Sequence, residues 1–400
     1  MFRTCLAALC FLLTPALAQS TLRIASYNLL NLFDAYDDPY HSDEGTAPKN
    51  RWDLALLRTT IDGLAADVLA VQEVENRGVL EMLNRGLAKP FPHVELIEGN
   101  DGRGIDVGLL SRFPIRRAMS HRGIALDQEL APDRSMSRDV VIFELELGPK
   151  TRLLVAPLHL KSKRSSSGDP QSAKWRQAEA RAALAAFRQL RARGCDLPFV
   201  LLGDFNDERE SEALAPLFAA LHDAFADLPE EKRWSFEFAG KRSQIDHLLF
   251  DGALTLQKAR VVREKGSASD HAPIWVEFQV AGTLQRTQVE EKQQRKYAPP
   301  EPRFFDLAKK PRLKGFLLKE LRLRGQVLSI TPTRRGGHLS LGFGWDKKQM
   351  LELFVRRGAK GRFANLEKWK GRILEVQGPL SRYRGRLQME LSRPEQVKLR

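Results

Sequence analysis

Acidic, amide and imidazole side chains flank short apolar runs at six places in the sequence. Four runs end in polar residues: LRIASYN, DVLAVQEVE, RLLVAPLHLKS and PFVLLGDFND. Two others, QIDHLLF and SDHAPIWVEF, begin with polar residues and continue into the apolar run. Because Asp and Asn are common turn formers after strands, any one of these ends alone would indicate only a turn. Six such ends favour a shared site.

The polar ends carry the donors that phosphodiester hydrolysis requires. They are Asn28, Glu73, His159, Asp204, Asn206, Asp246, Asp270 and His271. Oxygen donors of this kind suit a hard cation such as Mg²⁺, Mn²⁺ or Ca²⁺. The sequence has no CxxC or HExxH spacing, so a closed zinc site is not expected. A histidine whose second nitrogen contacts a carboxylate can serve as general base near neutral pH.

The elements that must position these residues alternate between strand-like and helical segments from residue 22 to 280. Residues 52–64 and 170–193 have helical spacing of their apolar side chains. Continuous apolar runs are typical of strands buried on both faces, which implies sheets covered by helices. If the first four strands run one way and the last two run antiparallel to them, all six polar ends meet on one rim.

The C-terminal part of the chain has a different period. Residues 283–312 are polar, charged and proline-bearing, and they are predicted to form a linker. After it, apolar residues alternate with polar ones in five segments: 321–323, 339–343, 351–355, 374–376 and 387–391. A short helix is expected at 363–369. Five strands with a helix in that gap resemble an oligonucleotide/oligosaccharide-binding (OB) barrel, with another small β-barrel as the alternative.

The net charge of +14 is concentrated in this C-terminal part. Residues 1–285 hold 35 Lys+Arg and 39 Asp+Glu, whereas residues 286–400 hold 29 Lys+Arg and 11 Asp+Glu. Such a concentration indicates a polyanion-binding surface, with solubility alone as the weaker alternative. The segments RRGGH (334–338) and SRYRGR (381–386) mix arginine with glycine and Tyr383, which favours backbone tracking and base stacking.

Residues 1–18 are predicted to be a signal peptide. Arg3 precedes an apolar run over residues 5–13, and Ala-Leu-Ala at 16–18 fits a cleavage site. The run is too short to span a membrane. We therefore expect an exported protein, periplasmic or secreted, without a transmembrane segment. Only Cys195 remains after cleavage, so no intramolecular disulfide is expected.

Six motifs together resemble a known family. ASYNLLNLF, QEVEN, PLHLKS, GDFND, QIDHLLF and SDHAPI are similar, in this order, to the motif set of the endonuclease/exonuclease/phosphatase superfamily, in its deoxyribonuclease-like, exported bacterial branch. The resemblance covers about residues 21–280. It implies an α/β fold, a four-layer sandwich of two mixed β-sheets flanked by helices, followed here by the OB-like barrel. The expected domains are 1–18 signal peptide, 19–282 catalytic, 283–312 linker and 313–400 basic barrel.

The resemblance also implies roles for individual residues. Those implied for the divalent metal are Asn28, Glu73 and Asp270. His271 is implied as the general base oriented by Asp246, while Asp204 and Asn206 orient the nucleophilic water and the scissile phosphate. His159 would stabilise the phosphate or act as an acid. Substrate phosphate contacts are expected from Arg138, Lys161 and Arg103, and Asp207 is expected to be a turn former.

The expected function is an exported, Mg²⁺-dependent (or Mn²⁺- or Ca²⁺-dependent) nuclease acting on DNA or RNA, as a monomer. One alternative keeps the superfamily but changes the substrate, to sphingomyelin or a sugar phosphate, with the basic tail on anionic membranes. A less favoured alternative is an inactive polyanion-binding protein, although none of the eight motif residues is missing. The acidic stretch DAYDDPYHSDEG (34–45) lacks the spacing of a calcium loop, and is expected to face substrate or solvent.

Overall fold

The computed structural model describes residues 19–36, 38–43, 46–238, 240–252, 254–263, 268–288, 301–332, 339–346, 350–355, 357–383 and 385–400. The predicted signal peptide and the RRGGH segment lie outside these ranges. Within them, no helix combines the length and the apolar character that a bilayer span requires.

The first sheet has six strands in the order β13-β14-β1-β2-β4-β3. Its strands are β1 (Gln19–Leu32), β2 (Val68–Val74), β3 (His93–Leu96), β4 (Asp106–Ser111), β13 (Thr255–Val261) and β14 (Ile274–Ala281). β1 runs parallel to β2 and antiparallel to β14. The carboxyl ends of β1 and β2 therefore lie beside the amino end of β14.

The second sheet repeats this arrangement, with the order β5-β6-β7-β8-β12-β9. Its strands are β5 (Ile115–Met119), β6 (Ile142–Gly148), β7 (Thr151–His159), β8 (Phe199–Asp204), β9 (His222–Asp223) and β12 (Asp246–Asp251). β7 is parallel to β8, and β12 is antiparallel to β8. A separate hairpin of β10 (Phe236–Phe238) and β11 (Lys241–Ser243) precedes β12.

Four helices cover the outer faces of the two sheets: α1 (Arg51–Leu64), α2 (Arg77–Arg85), α3 (Ala173–Ala192) and α4 (Ala215–Ala220). In α1, Leu57, Ile61 and Leu64 form the buried stripe that packs on the first sheet. α3 packs on the second sheet through a face rich in alanine. A third apolar cluster fills the space between the sheets. The expected four-layer sandwich is confirmed.

The predicted rim also forms, because the expected strand directions are those observed. Gly203, one residue before the end of β8, has a φ of 145°, and a Cβ there would lie 1.9 Å from the carbonyl oxygen of Leu158. The close approach of β7 and β8 thus requires glycine. It brings their ends, His159 and Asp204, side by side in the sheet register.

The C-terminal region forms a closed five-stranded barrel, as predicted. The barrel strands are β16 (Glu320–Pro332), β17 (Leu339–Gly344), β18 (Leu351–Val355), β19 (Ile373–Tyr383) and β20 (Arg386–Leu391), and pairing of β16 with β19 closes the ring. Two short strands, β15 (Arg303–Asp306) and β21 (Val397–Leu399), extend its sheet. The helix expected at 363–369 is a single 3₁₀ turn, Leu366–Trp369, which closes the apolar interior with Trp369.

Both described ends of the predicted linker are packed against neighbouring structure. Residues 283–288 lie on the sandwich, where Arg286 forms an ion pair with Asp67 and Thr287 N donates to Arg112 O. At the other end, β15 pairs with β16 in parallel. Residues 289–300 lie outside the described ranges.

Candidate active site

The carboxylate of Asp204 is the centre of the rim. Asn28 Nδ2 donates a hydrogen bond to Asp204 Oδ2 at 3.0 Å, across the gap between the two sheets. The same oxygen lies 3.5 Å from His159 Nε2 and 3.7 Å from His271 Nε2. All four side chains are buried. The structure thus brings together residues from β1, β7, β8 and the segment before β14.

His271 is held by a carboxylate on its other nitrogen. Its Nδ1 lies 2.8 Å from Asp246 Oδ2, and its backbone N–H donates to Ser269 Oγ at 3.1 Å. Burial alone would lower the pKa of His271, but the carboxylates of Asp246 and Asp204 outweigh burial and hold the pKa well above its usual range. The ring is therefore fixed with Nε2 facing Asp204.

Glu73 stands at the end of β2 on an irregular backbone. Its φ is 59°, within a break in the register between β2 and β4. Glu73 Oε1 accepts from Asn28 Nδ2 at 3.4 Å and Oε2 accepts from the N–H of Asn31 at 3.0 Å. Asn28 Oδ1 accepts from the N–H of Leu30, so an oxygen ligand at Asn28 requires its amide to turn. The distortion of β2 directs the Glu73 carboxylate into the rim.

Asp270 extends this group towards solvent. Its Oδ1 lies 4.0 Å from His271 Nε2, and its side chain is 44% exposed. Together with Glu73, Asp204 and Asp246, it gives the rim four carboxylates. This oxygen-rich, acidic donor set fits a hard divalent cation. Asp204, Asp246 and His271 also offer ligand atoms within 4.8 Å of one another, a second geometry that can hold a metal.

The pKa of Asp204 reflects first its burial and then the neighbouring charges. Burial is the main cause that raises it to about 7, and Asp246 adds to the effect against the opposing charge of His271. A cation in the rim would favour the ionised carboxylate and reverse this rise.

His159 has the opposite environment from His271. Burial, followed by the positive charges of Arg138 and His271, holds the pKa of His159 well below its usual range. Its Nδ1 is buried without a hydrogen-bond partner in the described part of the chain. A neutral histidine at this position can donate a hydrogen bond from one ring nitrogen to substrate.

Two of the three expected phosphate contacts share a carboxylate that the sequence analysis did not identify. Arg138 Nη2 lies 3.0 Å from Asp101 Oδ2, and Arg103 Nε lies 3.6 Å from Asp101 Oδ1. Arg103 also donates to Asn31 Oδ1 at 3.4 Å. Arg138 is buried and its Nε has no partner among the described residues, whereas Arg103 is about one-third exposed. Asp101 thus orients both guanidinium groups.

Lys161, the third expected contact, is positioned by α3. Its Nζ lies 4.5 Å from the ring centroid of Trp175. Its backbone N–H donates to Glu179 Oε2 at 2.6 Å, and Glu179 Oε1 accepts from the N–H of Ser137 at 2.7 Å. Glu179 therefore ties together the loops that carry Lys161 and Arg138. A charged residue on the alanine-rich face of a helix was the available sequence signal.

Asn206 and Asp207 have structural contacts that constrain their roles. Asn206, at a φ of 54°, donates from Nδ2 to Leu160 O at 2.9 Å and from its backbone N–H to Asp204 Oδ1 at 2.8 Å. Asp207 is more than the expected turn former. Its carboxylate binds the fully buried guanidinium of Arg176 at 2.7 Å and Lys163 Nζ at 2.8 Å.

An aromatic hairpin borders the site beside His271. The ring of Phe236 lies 5.0 Å from the ring of His271, centroid to centroid, and Phe236 also forms an isolated β-bridge with it. Phe238, the next aromatic residue of β10, is 68% exposed. The hairpin shields one side of the imidazole from solvent.

Comparison with known families identifies the family to which this chain belongs. The sequence profile described as "Endonuclease/Exonuclease/phosphatase family" matches residues 25–271, more than half of the chain. The protein belongs to the endonuclease/exonuclease/phosphatase family. Members of this family are hydrolases of phosphodiesters or phosphate esters and generally depend on a divalent metal. The matched range contains every residue of the rim described above.

Solved structures of the same family are similar to the chain at low identity. An endonuclease/exonuclease/phosphatase family protein from Bacteroides thetaiotaomicron is 17% identical, covering 66% of this chain and 98% of that one, with a TM-score of 0.48. The human nocturnin catalytic domain with bound sulfate is 18% identical, covering 64% and 94%, with a TM-score of 0.47. A Bacteroides thetaiotaomicron mannosyl-6-phosphatase is 18% identical, covering 64% and 99%, with a TM-score of 0.46. No curated protein matches the sequence significantly.

Proposed function

We propose that the protein is an exported, divalent-metal-dependent nuclease that hydrolyses phosphodiester bonds of DNA or RNA. The observation that carries the proposal is the shared carboxylate of Asp204, which faces His159, His271 and Asn28 at 3.0–3.7 Å. This arrangement combines a water-orienting carboxylate with an imidazole base in a buried rim.

In the proposed reaction, a water molecule held by Asp204 attacks phosphorus. His271 Nε2 takes the proton from that water, and Asp246 stabilises the resulting imidazolium through the 2.8 Å contact at Nδ1. The bond between phosphorus and the leaving oxygen breaks on the opposite side, and the leaving oxygen keeps the bonding electron pair and takes a proton from solvent. The neutral His159, whose pKa is lowered mainly by burial, donates a hydrogen bond from its protonated ring nitrogen to a non-bridging oxygen.

The cation would be held by Glu73 and Asp270, with Asn28 as the third ligand. When bound, it supplies positive charge that stabilises the phosphorane-like transition state and lowers the pKa of the His271 imidazole. Arg138 and Arg103, oriented by Asp101, would contact the non-bridging phosphate oxygens. Lys161 would contact the phosphate next along the strand.

The substrate class follows from the charge of the C-terminal region. Residues 286–400 carry 29 Lys+Arg against 11 Asp+Glu, and in our proposal the barrel formed by β16–β20 binds the polyanion. Tyr383 is 53% exposed, follows Arg382 in β19 and pairs with Arg386 of β20, so an aromatic ring and two cations lie at the same end of this strand pair. Base stacking combined with phosphate contacts suits a nucleic acid.

The test is a substrate comparison with the purified full-length protein. Plasmid DNA, single-stranded RNA, sphingomyelin liposomes and a sugar phosphate are each incubated with Mg²⁺, Mn²⁺ or Ca²⁺, and with EDTA. We expect metal-dependent cleavage of nucleic acid. Hydrolysis of sphingomyelin or of the sugar phosphate without cleavage of nucleic acid would refute the substrate and favour the other branches of the family.

Export is tested separately from activity. Fractionation of cells that express the full chain should place the protein outside the cytoplasm, with an N-terminus that begins at residue 19. A cytoplasmic protein that retains its first 18 residues would contradict the signal peptide.

A further inference from the structure

The barrel contacts the N-terminal end of α1 through four polar side chains. Asp53, in the first turn of α1, accepts hydrogen bonds from Ser392 Oγ at 3.1 Å and from Arg393 Nε. Asn50, the N-cap residue of α1, donates to Ser392 Oγ at 3.3 Å. The side chains of Asp53 and Arg393 are 14% and 13% exposed, so solvent screens this ion pair less than a surface pair. We call Asn50, Asp53, Ser392 and Arg393 the docking clamp.

A second contact lies beside the docking clamp. Arg51 Nε donates to Glu320 Oε1 at 3.3 Å, and Gln377 of the barrel donates to the same oxygen at 2.8 Å. Further along the same boundary, Lys319 Nζ lies 4.8 Å from the ring centroid of Tyr36. Contacts at three points fix the orientation of the barrel, whereas a flexible tether would leave that orientation free.

Lys49 connects the docking clamp to the active site. Its Nζ donates to the carbonyl oxygen of Ala268 at 3.2 Å. The next residue, Ser269, donates from Oγ to Asn28 O at 2.7 Å and accepts from the His271 N–H at 3.1 Å. The loop held by Lys49 therefore fixes both the backbone of Asn28 and the backbone of the proposed general base.

Charges on both sides hold Lys49 in place. Burial lowers the pKa of Lys49, while the carboxylates of Asp53 in α1, Asp270 in the loop and Glu390 in β20 oppose this effect. The ammonium group of Lys49 is thus attracted by carboxylates of the sandwich, the active-site loop and the barrel. Displacing the barrel would remove the carboxylate of Glu390 from the surroundings of Lys49.

We propose that the barrel is a structural support of the active site as well as a binding domain, with Lys49, Asp53 and Arg393 as positioning residues. Breaking the docking clamp loosens the Ala268–His271 loop and misplaces His271 and Asp270. The activity readouts of this inference rest on the proposed hydrolytic function, whereas its structural readouts do not. Deleting the barrel would remove support and substrate binding together, so point substitutions are required.

The first experiment compares Asp53→Ala and Arg393→Ala with the wild type, in the full chain. Arg400→Ala is the matched control, since it breaks the Arg400–Glu375 pair at 2.9 Å within the barrel, away from the docking clamp. Hydrogen exchange of peptides covering residues 268–272 should accelerate in the two clamp variants and not in the control. The charge swap Asp53→Arg with Arg393→Asp should restore protection at least in part.

The second experiment measures turnover of bis(p-nitrophenyl) phosphate, which is too small to reach the barrel. We expect kcat to fall roughly 3- to 30-fold in the clamp variants and in Lys49→Met, with KM nearly unchanged. Asp53→Asn serves as a milder variant if Asp53→Ala does not fold. Wild-type exchange rates at 268–272 in every folded clamp variant would overturn the proposal.

The two readouts also separate this inference from the proposed function. A wild-type protein that hydrolyses no phosphodiester, but whose clamp variants exchange faster at 268–272, refutes the nuclease and leaves the support intact. An active protein whose clamp variants keep wild-type kcat on the small substrate refutes the support and leaves the nuclease intact.

Discussion

The sandwich and the barrel differ in where their ionisable side chains lie, buried in the first and mostly at the surface in the second. The sandwich buries Asn28, His159, Asp204, Asp246 and His271 at one rim. In the described part of the barrel region, from residue 301 onwards, the buried polar side chains are Ser381 and Gln396, and no charged residue is fully buried, although Arg393 at the docking clamp is only 13% exposed. Because burying charge is costly unless it is paired or used, a cluster of buried ionisable groups such as this rim is a candidate site for chemistry, whereas a buried pair such as Arg176–Asp207 is structural. Surface charge marks the place where a polyanion can bind.

The largest effect on activity is expected from removing the buried ionisable groups of the rim. Asp204→Ala and His271→Ala should each lower kcat by roughly 10³-fold or more, because each removes a group that in the proposed reaction acts on the attacking water. Binding of nucleic acid by gel shift should be retained. Asp227→Ala, at an exposed aspartate, is the control and should keep wild-type kcat. Substantial hydrolysis by both rim variants would refute the assignment.

Asp246→Asn tests whether the rim tunes the pKa of His271. The carboxylate of Asp246 raises that pKa, so its removal lowers the pKa. Because the proposed base His271 can accept a proton only when it is deprotonated, the acid limb of the kcat/KM profile should move to lower pH. The maximal rate should fall roughly 10²- to 10⁴-fold, since the ring loses its orienting partner. An acid limb at the wild-type pH would show that another group titrates.

Substituting Arg176 tests how much the buried ion pair beside the rim contributes to stability. Its guanidinium binds Asp207 and the carbonyl oxygens of Lys161 and Gln171, and it is 1% exposed. Arg176→Met should lower the free energy of unfolding by about 3 kcal/mol, because it leaves buried acceptors unpaired. Arg116→Ala, which breaks an exposed pair with Glu146, should cost less than about 1 kcal/mol. Urea denaturation of both variants gives the comparison.

The smallest expected effect concerns the exposed charge of the barrel. Arg382→Glu with Arg386→Glu should raise KM for long DNA about tenfold and lower the salt dependence of binding by about two counterions. Turnover of bis(p-nitrophenyl) phosphate should be unchanged. The control is Arg188→Glu with Arg193→Glu on the outer side of the sandwich. An equal loss of DNA affinity in the control would show that the effect is nonspecific.

The strand ends of the rim were predictable because each combines an apolar run with a polar end. Burial of the run and the parallel or antiparallel direction of its neighbours then determine where the polar end lies, as for Asp204 after β8. The five barrel strands were predictable for a similar reason, since their period of two is local. The family motifs added the roles expected of the individual residues.

The supporting residues could not be predicted, because their partners are distant in the sequence. Asp101 lies in a polar loop and meets Arg138 only after the fold has formed. Glu179 has the composition of a solvated helix residue, and only packing of α3 on the second sheet buries it. Lys49 likewise follows a polar loop. For such residues the local sequence does not identify the partner, because only the tertiary fold brings the two side chains together.

The sequence separation within the docking clamp sets an order of events for a chain made from its N-terminus. Asp53 and Arg393 are 340 residues apart, and β20 is the last strand of the closed ring to be made. α1 and both sheets are synthesised before the residue that completes the docking clamp. If the barrel supports the active site as proposed, the Ala268–His271 loop gains that support only after residue 393 has been made and β20 has joined the ring.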